Sequence, residues 1–172
     1  METPLPGRDE AIRFVRSDRL RTLAFLDRVP ARAITTTGLG GGDWSPKDML
    51  GHLESWEQHA LDALDAWSLG RVAPSDHALR TVGLDPFNLA EVARKARWSV
   101  ARTVDSAAAT HRRLVAALGA ISDDAWTARP TKREKRSLGT HLGGILGGPA
   151  GPFRHDVAHH PDLEAFVAAH TR

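Results

Sequence analysis

Hydrophobic residues recur every three or four positions along four stretches of the chain, which is the spacing of an amphipathic α-helix. Residues 46–68 show it most clearly, since seven positions fall in one stripe: Met49, Leu53, Trp56, Ala60, Ala63, Leu64 and Trp67. Ser45 is a suitable N-cap, Pro46 fits the first helical position, and Asp48 suits the positive end of a helix. The pattern therefore predicts a helix over residues 46–68, followed by a loop at Pro74.

Residues 9–28 and 87–118 have the same periodicity. In the first stretch Arg19 falls inside the apolar stripe. We expect its side chain to snorkel along the bundle edge, the alternative being a cavity in which it binds an anionic group. In the second stretch Asn88 and Glu91 form a capping-box arrangement, so the pattern predicts one unbroken helix of about 30 residues.

The C-terminal region is richer in glycine. Only a turn or two of helix is expected within residues 138–146, because glycine disfavours helix formation. A further helix is predicted from Pro152 onward, and Pro161, which has no backbone donor, should bend or restart it. Strand signals are weak throughout the chain.

These elements together predict the fold class. Four amphipathic helices with long connections, such as residues 31–44 and 120–150, are typical of an all-α four-helix bundle with long crossover connections. The 172 residues are enough for one domain with its own core, and we assign residues 1–172 to it.

Composition narrows the chemistry without identifying it. The absence of cysteine excludes disulfides, thiolate metal sites and a cysteine nucleophile. The net charge is +2 and basic residues cluster only at residues 131–136, which we interpret as a solvated loop, with contact to an anionic partner as the alternative. Nucleic-acid binding is therefore not expected. Because neither a membrane span nor a signal peptide is evident, we expect a cytoplasmic protein, monomeric or homodimeric.

Three histidines are candidates for a metal site. His155 and His159 are four residues apart, a spacing that places both imidazoles on one face of a helix. His52 lies about 60° from the centre of the apolar stripe of its helix, by the 100° that each helical residue turns. A polar side chain at the edge of a buried face can point between helices, where bundles build their metal sites.

The motifs around these histidines resemble a known family. The segment "DWSPKDMLGHLESWE" is similar to the second-helix signature of the DinB/YfiT-like superfamily, and "HDVAHHPDL" is similar to its H-x-x-x-H followed by Pro-Asp-Leu. The intervening segment at residues 85–118 resembles the third-helix region of the ClbS/DfsB branch. The resemblance covers nearly the whole chain in order, and implies a four-helix bundle.

What the resemblance implies about function is specific. In the superfamily three histidines bind one divalent metal, and the matching positions here are His52, His155 and His159. The family often has a tyrosine after the first histidine of its C-terminal pair, where this chain has Asp156. Zinc is the favoured ion, with nickel or iron as alternatives, since imidazole binds all three.

The implied activity is that of a metal-dependent enzyme acting on a small electrophilic molecule. It would be a hydrolase that opens a strained ring or a thiol S-transferase, with a low-molecular-weight thiol as possible co-substrate. Detoxification or self-resistance to a reactive natural product is the expected role. The alternative is a non-catalytic protein of the same fold that sequesters a metabolite.

Other residues are secondary candidates. His111 is interpreted as a catalytic base or pocket wall, with a hydrogen-bonded core histidine as the alternative, and Trp56 and Arg19 as substrate-binding residues. Three carboxylates near the histidines are candidates for orienting them: Asp48, Asp156 and Asp162. Four further histidines are expected at or near the surface, with no role assigned except a possible one for the first: His59, His141, His160 and His170.

Overall fold

The structure, a computed structural model, describes residues 4–129 and 135–171. Within that part of the chain the regular structure is helical, and the expected all-α bundle is confirmed. Its α-helices are α1 (Arg8–Leu26), α2 (Pro46–Ser68), α3 (Pro74–Val82), α4 (Leu84–Lys95), α5 (Val100–Ala120), α6 (Asp123–Thr127), α7 (Leu138–Ile145), α8 (His155–Ala158) and α9 (His160–His170). Two short 3₁₀ helices, Ala31–Ala33 and Leu39–Gly41, lie in the long connection between α1 and α2.

Helix α2 is the central element of the bundle. It begins and ends where the sequence predicts, and its capping box is complete: Ser45 accepts from the backbone N–H of Asp48, whose carboxylate accepts from that of Ser45. It packs against α3, α4, α5 and α7, while α1 packs against α5, α8 and α9. Polar side chains on α2 are therefore buried on several sides.

The buried hydrophobic residues form two clusters, which lie along α1 and α2. The first contains Val15 of α1 and Trp56 of α2, with residues of α5 and α7. The second contains Phe25 of α1 and Leu53 of α2, with residues of α9. The middle of α1 is polar although it is buried. The side chains that bind this polar stretch determine how the C-terminal helices are held against α1.

Two helix predictions in the middle of the chain were wrong. The expected helix at residues 87–118 is two helices, α4 and α5, separated at residues 96–99. Asn88 lies inside α4 instead of capping a helix, and its side-chain oxygen accepts a hydrogen bond from Trp56 Nε1 at 3.0 Å. The loop expected at Pro74 contains α3, in which Pro74 occupies the first turn.

The C-terminal region agrees more closely with the sequence. Helix α7 is the short helix expected within residues 138–146, and the predicted discontinuity falls at His159, just before Pro161. Of the basic segment 131–136, residues 131–134 lie outside the described residues. Among the described residues no helix has the length and apolarity that crossing a membrane requires.

A pair of alanine substitutions on α7 tests the packing of this helix. A Cβ at Gly139 would lie 2.6 Å from the indole ring of Trp126, whereas a Cβ at Gly144 would meet nothing within 4 Å. Gly139→Ala should lower the free energy of unfolding by about 1–3 kcal/mol through overpacking. Gly144→Ala should leave it unchanged or raise it by up to about 1 kcal/mol, because alanine favours helix. Denaturant unfolding measures both, and equal effects would contradict the packing described.

Candidate metal centre

Three imidazoles from two distant parts of the chain meet beside α2. His52 Nε2 lies 3.2 Å from His155 Nε2, and His155 Nε2 lies 3.4 Å from His159 Nε2. The three donor atoms all lie within 4.8 Å of one another. The structure thus brings together the three histidines singled out from the sequence.

The spacing of the nitrogens suits a tetrahedral ion. Two imidazole nitrogens on one zinc at about 2.0–2.1 Å would stand roughly 3.3–3.4 Å apart. Two of the three separations, 3.2 and 3.4 Å, agree with this value. Three nitrogens leave a fourth position for water or substrate, so the donor set fits a catalytic type of site.

The pair of C-terminal histidines does not lie on one continuous helix. His155 begins the single-turn helix α8, and His159 is the residue between α8 and α9. The backbone N–H of His155 donates to the carbonyl of Leu146 at the end of α7. Short helices have little stability of their own, so the position of this pair depends on tertiary contacts.

The strongest of those contacts is a buried ion pair with α1. Arg19 Nε donates to Asp156 Oδ2 at 2.8 Å, and Thr22 Oγ1 donates to the same oxygen at 2.8 Å. One residue before α8, Arg154 Nε donates to Asp18 Oδ2 at 2.5 Å. These bonds hold both sides of His155 against one face of α1.

The turn that leads into α8 has a strained backbone. Phe153 has φ +60°, in the left-handed region that residues with a Cβ rarely adopt. Its ring is fully buried and stacks on Trp126, with centroids 5.4 Å apart. Burial of a large aromatic ring offsets the local strain, and the turn sets the direction from which the chain reaches His155.

The expectation that Arg19 snorkels along the bundle edge was wrong. Its side chain is 4% exposed, and its guanidinium donates to Glu57 as well as to Asp156. Glu57 Oε1 lies 2.7 Å from His111 Nδ1, so a chain of polar contacts runs from α8 to α5. Burial alone would lower the pKa of Arg19, but Asp156 and then Glu57 raise it above its usual value.

His111 and Arg19 line a groove of about 440 Å³ between α1 and α5. Trp56 instead lies against the metal centre, its ring centroid 5.7 Å from that of His155. Their roles in catalysis or substrate binding stay predictions.

The carboxylates expected to orient the histidines act elsewhere or show no such bond. Asp48 caps α2, and Asp156 is bound to Arg19 and Thr22. His52 Nδ1 is buried without a hydrogen-bond partner among the described residues. The ring of His52 packs against Trp44 at 4.8 Å between centroids, so aromatic contact orients it.

Three histidines expected near the surface are buried. His160 lies 3.0 Å from Thr22 Oγ1, and His59 and His141 each lie against one carboxylate oxygen of Asp76. The sequence analysis did not single out Glu57. Its position was a usable signal, because Glu57 lies one turn after Leu53 at the edge of the apolar stripe of α2, as His52 does. Asp76 had no comparable signal, because its helix was not predicted.

Burial makes the three imidazoles of the site hard to protonate. Burial, and then the neighbouring His155, lowers the pKa of His52 from 6.5 to about 2. Burial, and then His159, lowers the pKa of His155 to about 3, and burial lowers that of His159. Neutral imidazoles keep the lone pairs that a metal ion requires.

Comparison with known proteins shows the family and supports the fold. The family model described as the DinB superfamily matches residues 15–147. The chain belongs to the DinB superfamily. The matched segment includes His52 and ends before His155 and His159, so two of the three histidines rest on the geometry of this DinB-superfamily chain itself.

One solved structure is similar over nearly the whole chain. It is the crystal structure of an uncharacterised protein from Escherichia coli UTI89, with a TM-score of 0.77 and 11% identity. The similarity covers 98% of this chain and 96% of that one, and at this identity it supports the fold of the DinB-superfamily chain and nothing further. No curated protein matches the sequence.

The lowered histidine pKa values predict acid lability of the metal-free protein. The unfolded chain binds more protons than the folded one below about pH 6.5, so the free energy of unfolding should fall as the pH drops through this value. Each fully depressed histidine contributes about 1.4 kcal/mol per pH unit. Unfolding of chelator-treated protein at pH 7 and pH 5 measures the slope. His155→Gln should flatten it while the exposed His77→Gln should not; identical slopes would contradict the argument.

Removing the buried arginine should destabilise the fold more than removing an exposed one. Arg19→Met leaves Asp156 and Glu57 buried without their cation and should cost about 3–5 kcal/mol. Arg13→Met, on the exposed side of α1, should stay within about 0.5 kcal/mol of the wild type. Denaturant unfolding compares them, and similar losses would mean that the ion pair does not hold α1 to α8.

Proposed function

We propose that this chain is a metal-dependent enzyme that acts on a small electrophilic molecule. The convergence of three imidazole nitrogens, at separations that suit one tetrahedral ion, carries the proposal. The reaction class is hydrolysis or ring opening of the substrate, or transfer of a low-molecular-weight thiol to it. Detoxification or self-resistance in the cytoplasm is the corresponding role, for a monomer or homodimer.

The chain itself would hold the ion with His52, His155 and His159. A divalent ion on three neutral ligands supplies Lewis-acid chemistry: it lowers the pKa of a water or a thiol and polarises an electrophilic oxygen. Zinc is favoured, with nickel and iron as alternatives that imidazole ligands also accept. The Arg19–Asp156 pair positions His155 through the backbone, because Asp156 is the next residue and its side chain binds Arg19 of α1.

His111 is the residue we assign to proton transfer. Its Nδ1 is held by Glu57 at 2.7 Å, which fixes the ring and leaves Nε2 as the second nitrogen. The ring is partly exposed and lines the groove between α1 and α5. Arg19 lies in the wall of the same groove, so a substrate group that enters there would meet both residues.

Metal content tests the ligand assignment directly. Protein purified without a histidine tag should contain close to one equivalent of a divalent metal by elemental analysis. His155→Ala should lower the content at least about 10-fold, because a bidentate remnant binds far more weakly. His77→Ala, an exposed histidine of α3, should keep it. Unchanged metal in His155→Ala would overturn the assignment.

A substrate panel then separates the reaction classes. Metal-loaded protein is incubated with small epoxides, with and without a low-molecular-weight thiol, and the masses of the products are measured by mass spectrometry. Addition of water supports hydrolysis, and addition of the thiol supports transfer. Tight binding with recovery of intact molecule would replace the enzyme proposal with metabolite sequestration.

A further inference from the structure

The groove between α1 and α5 is lined by apolar side chains from both helices. It measures about 440 Å³, within the range of small-molecule pockets. Its apolar surface is formed by Leu20 and Leu23 of α1 and by Val115 and Ala116 of α5. Leu20 is 68% exposed and Leu23 is 38% exposed. A molecule in solution can therefore reach these side chains directly.

Two arginines that line the groove have no partner in the described part of the chain. Arg16 of α1 and Arg112 of α5 are both exposed. Neither makes a hydrogen bond, an ion pair or a ring contact with a described residue. No acidic side chain among the described residues lines the groove. The open apolar surface is thus accompanied by positive charge without a counter-charge beside it.

Arg19 differs from these two arginines, although it lies in the same wall. Its buried guanidinium donates to Asp156 at 2.8 Å and to Glu57 at 3.3 Å. Its charge is therefore already balanced within the protein. The positive charge that remains for a ligand is that of Arg16 and Arg112.

The charge of the groove determines which kind of molecule fits it. A two-fold contact brings the same patch of two copies together. A second copy of this chain would therefore place the unpaired arginines of both copies in one apolar contact, which like-charge repulsion opposes. A negatively charged group instead forms charge-assisted hydrogen bonds with a guanidinium, and a carboxylate matches its planar geometry. The groove thus favours a carboxylate with an apolar part.

The length of the groove limits the size of that apolar part. On α1 the lining residues run from Arg16 to Leu23. This stretch spans about 10 Å, at 1.5 Å per helical residue. A hydrocarbon chain of similar length covers the leucines, and its charged end stays within the groove.

We propose that the groove between α1 and α5 binds a medium-chain carboxylic acid. The hydrocarbon chain lies along Leu20, Leu23 and Val115, and the guanidinium groups of Arg16 and Arg112 supply the charge that the carboxylate meets. This site goes beyond the proposed reaction, because its ligand does not need a metal ion.

Octanoate is the probe, titrated into the full chain by isothermal calorimetry. The expected dissociation constant is roughly 0.1–1 mM, as for a ligand of this size with few polar contacts. Octanamide keeps the chain without the charge, and acetate keeps the charge without the chain, so each should bind at least about 10-fold more weakly. Absence of octanoate binding, or equal affinity for octanamide, would overturn the proposal.

Two leucine substitutions locate the site. Leu20→Glu puts a negative charge into the groove and should weaken octanoate binding at least about 10-fold. Leu89→Glu is the matched control, because Leu89 is 61% exposed and lies on α4, outside the groove. Equal affinities of the two variants would overturn the location. A dimer that Leu20→Glu dissociates, measured by light scattering, would show a contact between copies and would also overturn the proposal.

The role of the arginines is tested by the ratio of the affinities for octanoate and octanamide, which reports recognition of charge. The double variant Arg16→Ala and Arg112→Ala should bind the two probes about equally. Arg13→Ala, on α1 but outside the groove, should keep the wild-type preference, and so should a correct fold. An unchanged preference in the double variant would contradict the assignment.

Independence from the metal centre is tested with His155→Ala. This variant should bind octanoate like the wild type even when its metal content falls. Loss of octanoate binding together with the metal would mean that the ion binds the carboxylate, and would overturn the proposal. Metal content and octanoate affinity are measured on the same samples, so failure of the ligand assignment and failure of the groove are distinguished.

Discussion

The buried contact between Arg19 and Asp156 is the interaction on which the architecture of the metal centre depends. A guanidinium and a carboxylate removed from water are stable only when each meets its partners, so α1 and α8 must keep one relative position. Asp156 follows His155 directly, and this constraint on the backbone places the imidazole against α2. The apolar clusters on either side of the pair exclude water from it.

The same logic applies along α2, whose polar residues are buried together with their partners. Lys95 of α4 donates to Glu54 and Ser55 and to the carbonyl of Gly51. Glu57 accepts a hydrogen bond from Arg19, and Asp76 accepts one from His59. Helices α1, α3 and α4 thus each carry the counterpart of a particular polar side chain of α2, which fixes their register as well as their distance.

The sequence was sufficient where the determining residues lie close together in the chain. The N-cap at Ser45 and the apolar stripe of α2 are local, and both were predicted correctly. The positions of His59, His141 and His160 were not, because burial of these rings depends on Asp76 and Thr22, which are distant in sequence. The division at residues 96–99 escaped periodicity, since apolar residues continue through it at helical spacing.

The separation of the three histidines along the chain has a mechanical consequence. His52 and His155 are 103 positions apart, so an ion that joined them would act as a cross-link closing most of the chain into a loop. Closing a long loop removes conformations from the unfolded ensemble rather than adding contacts to the folded one. Occupancy of the site and resistance to unfolding would then be coupled, because a bound ion would raise the free energy of unfolding of the whole bundle.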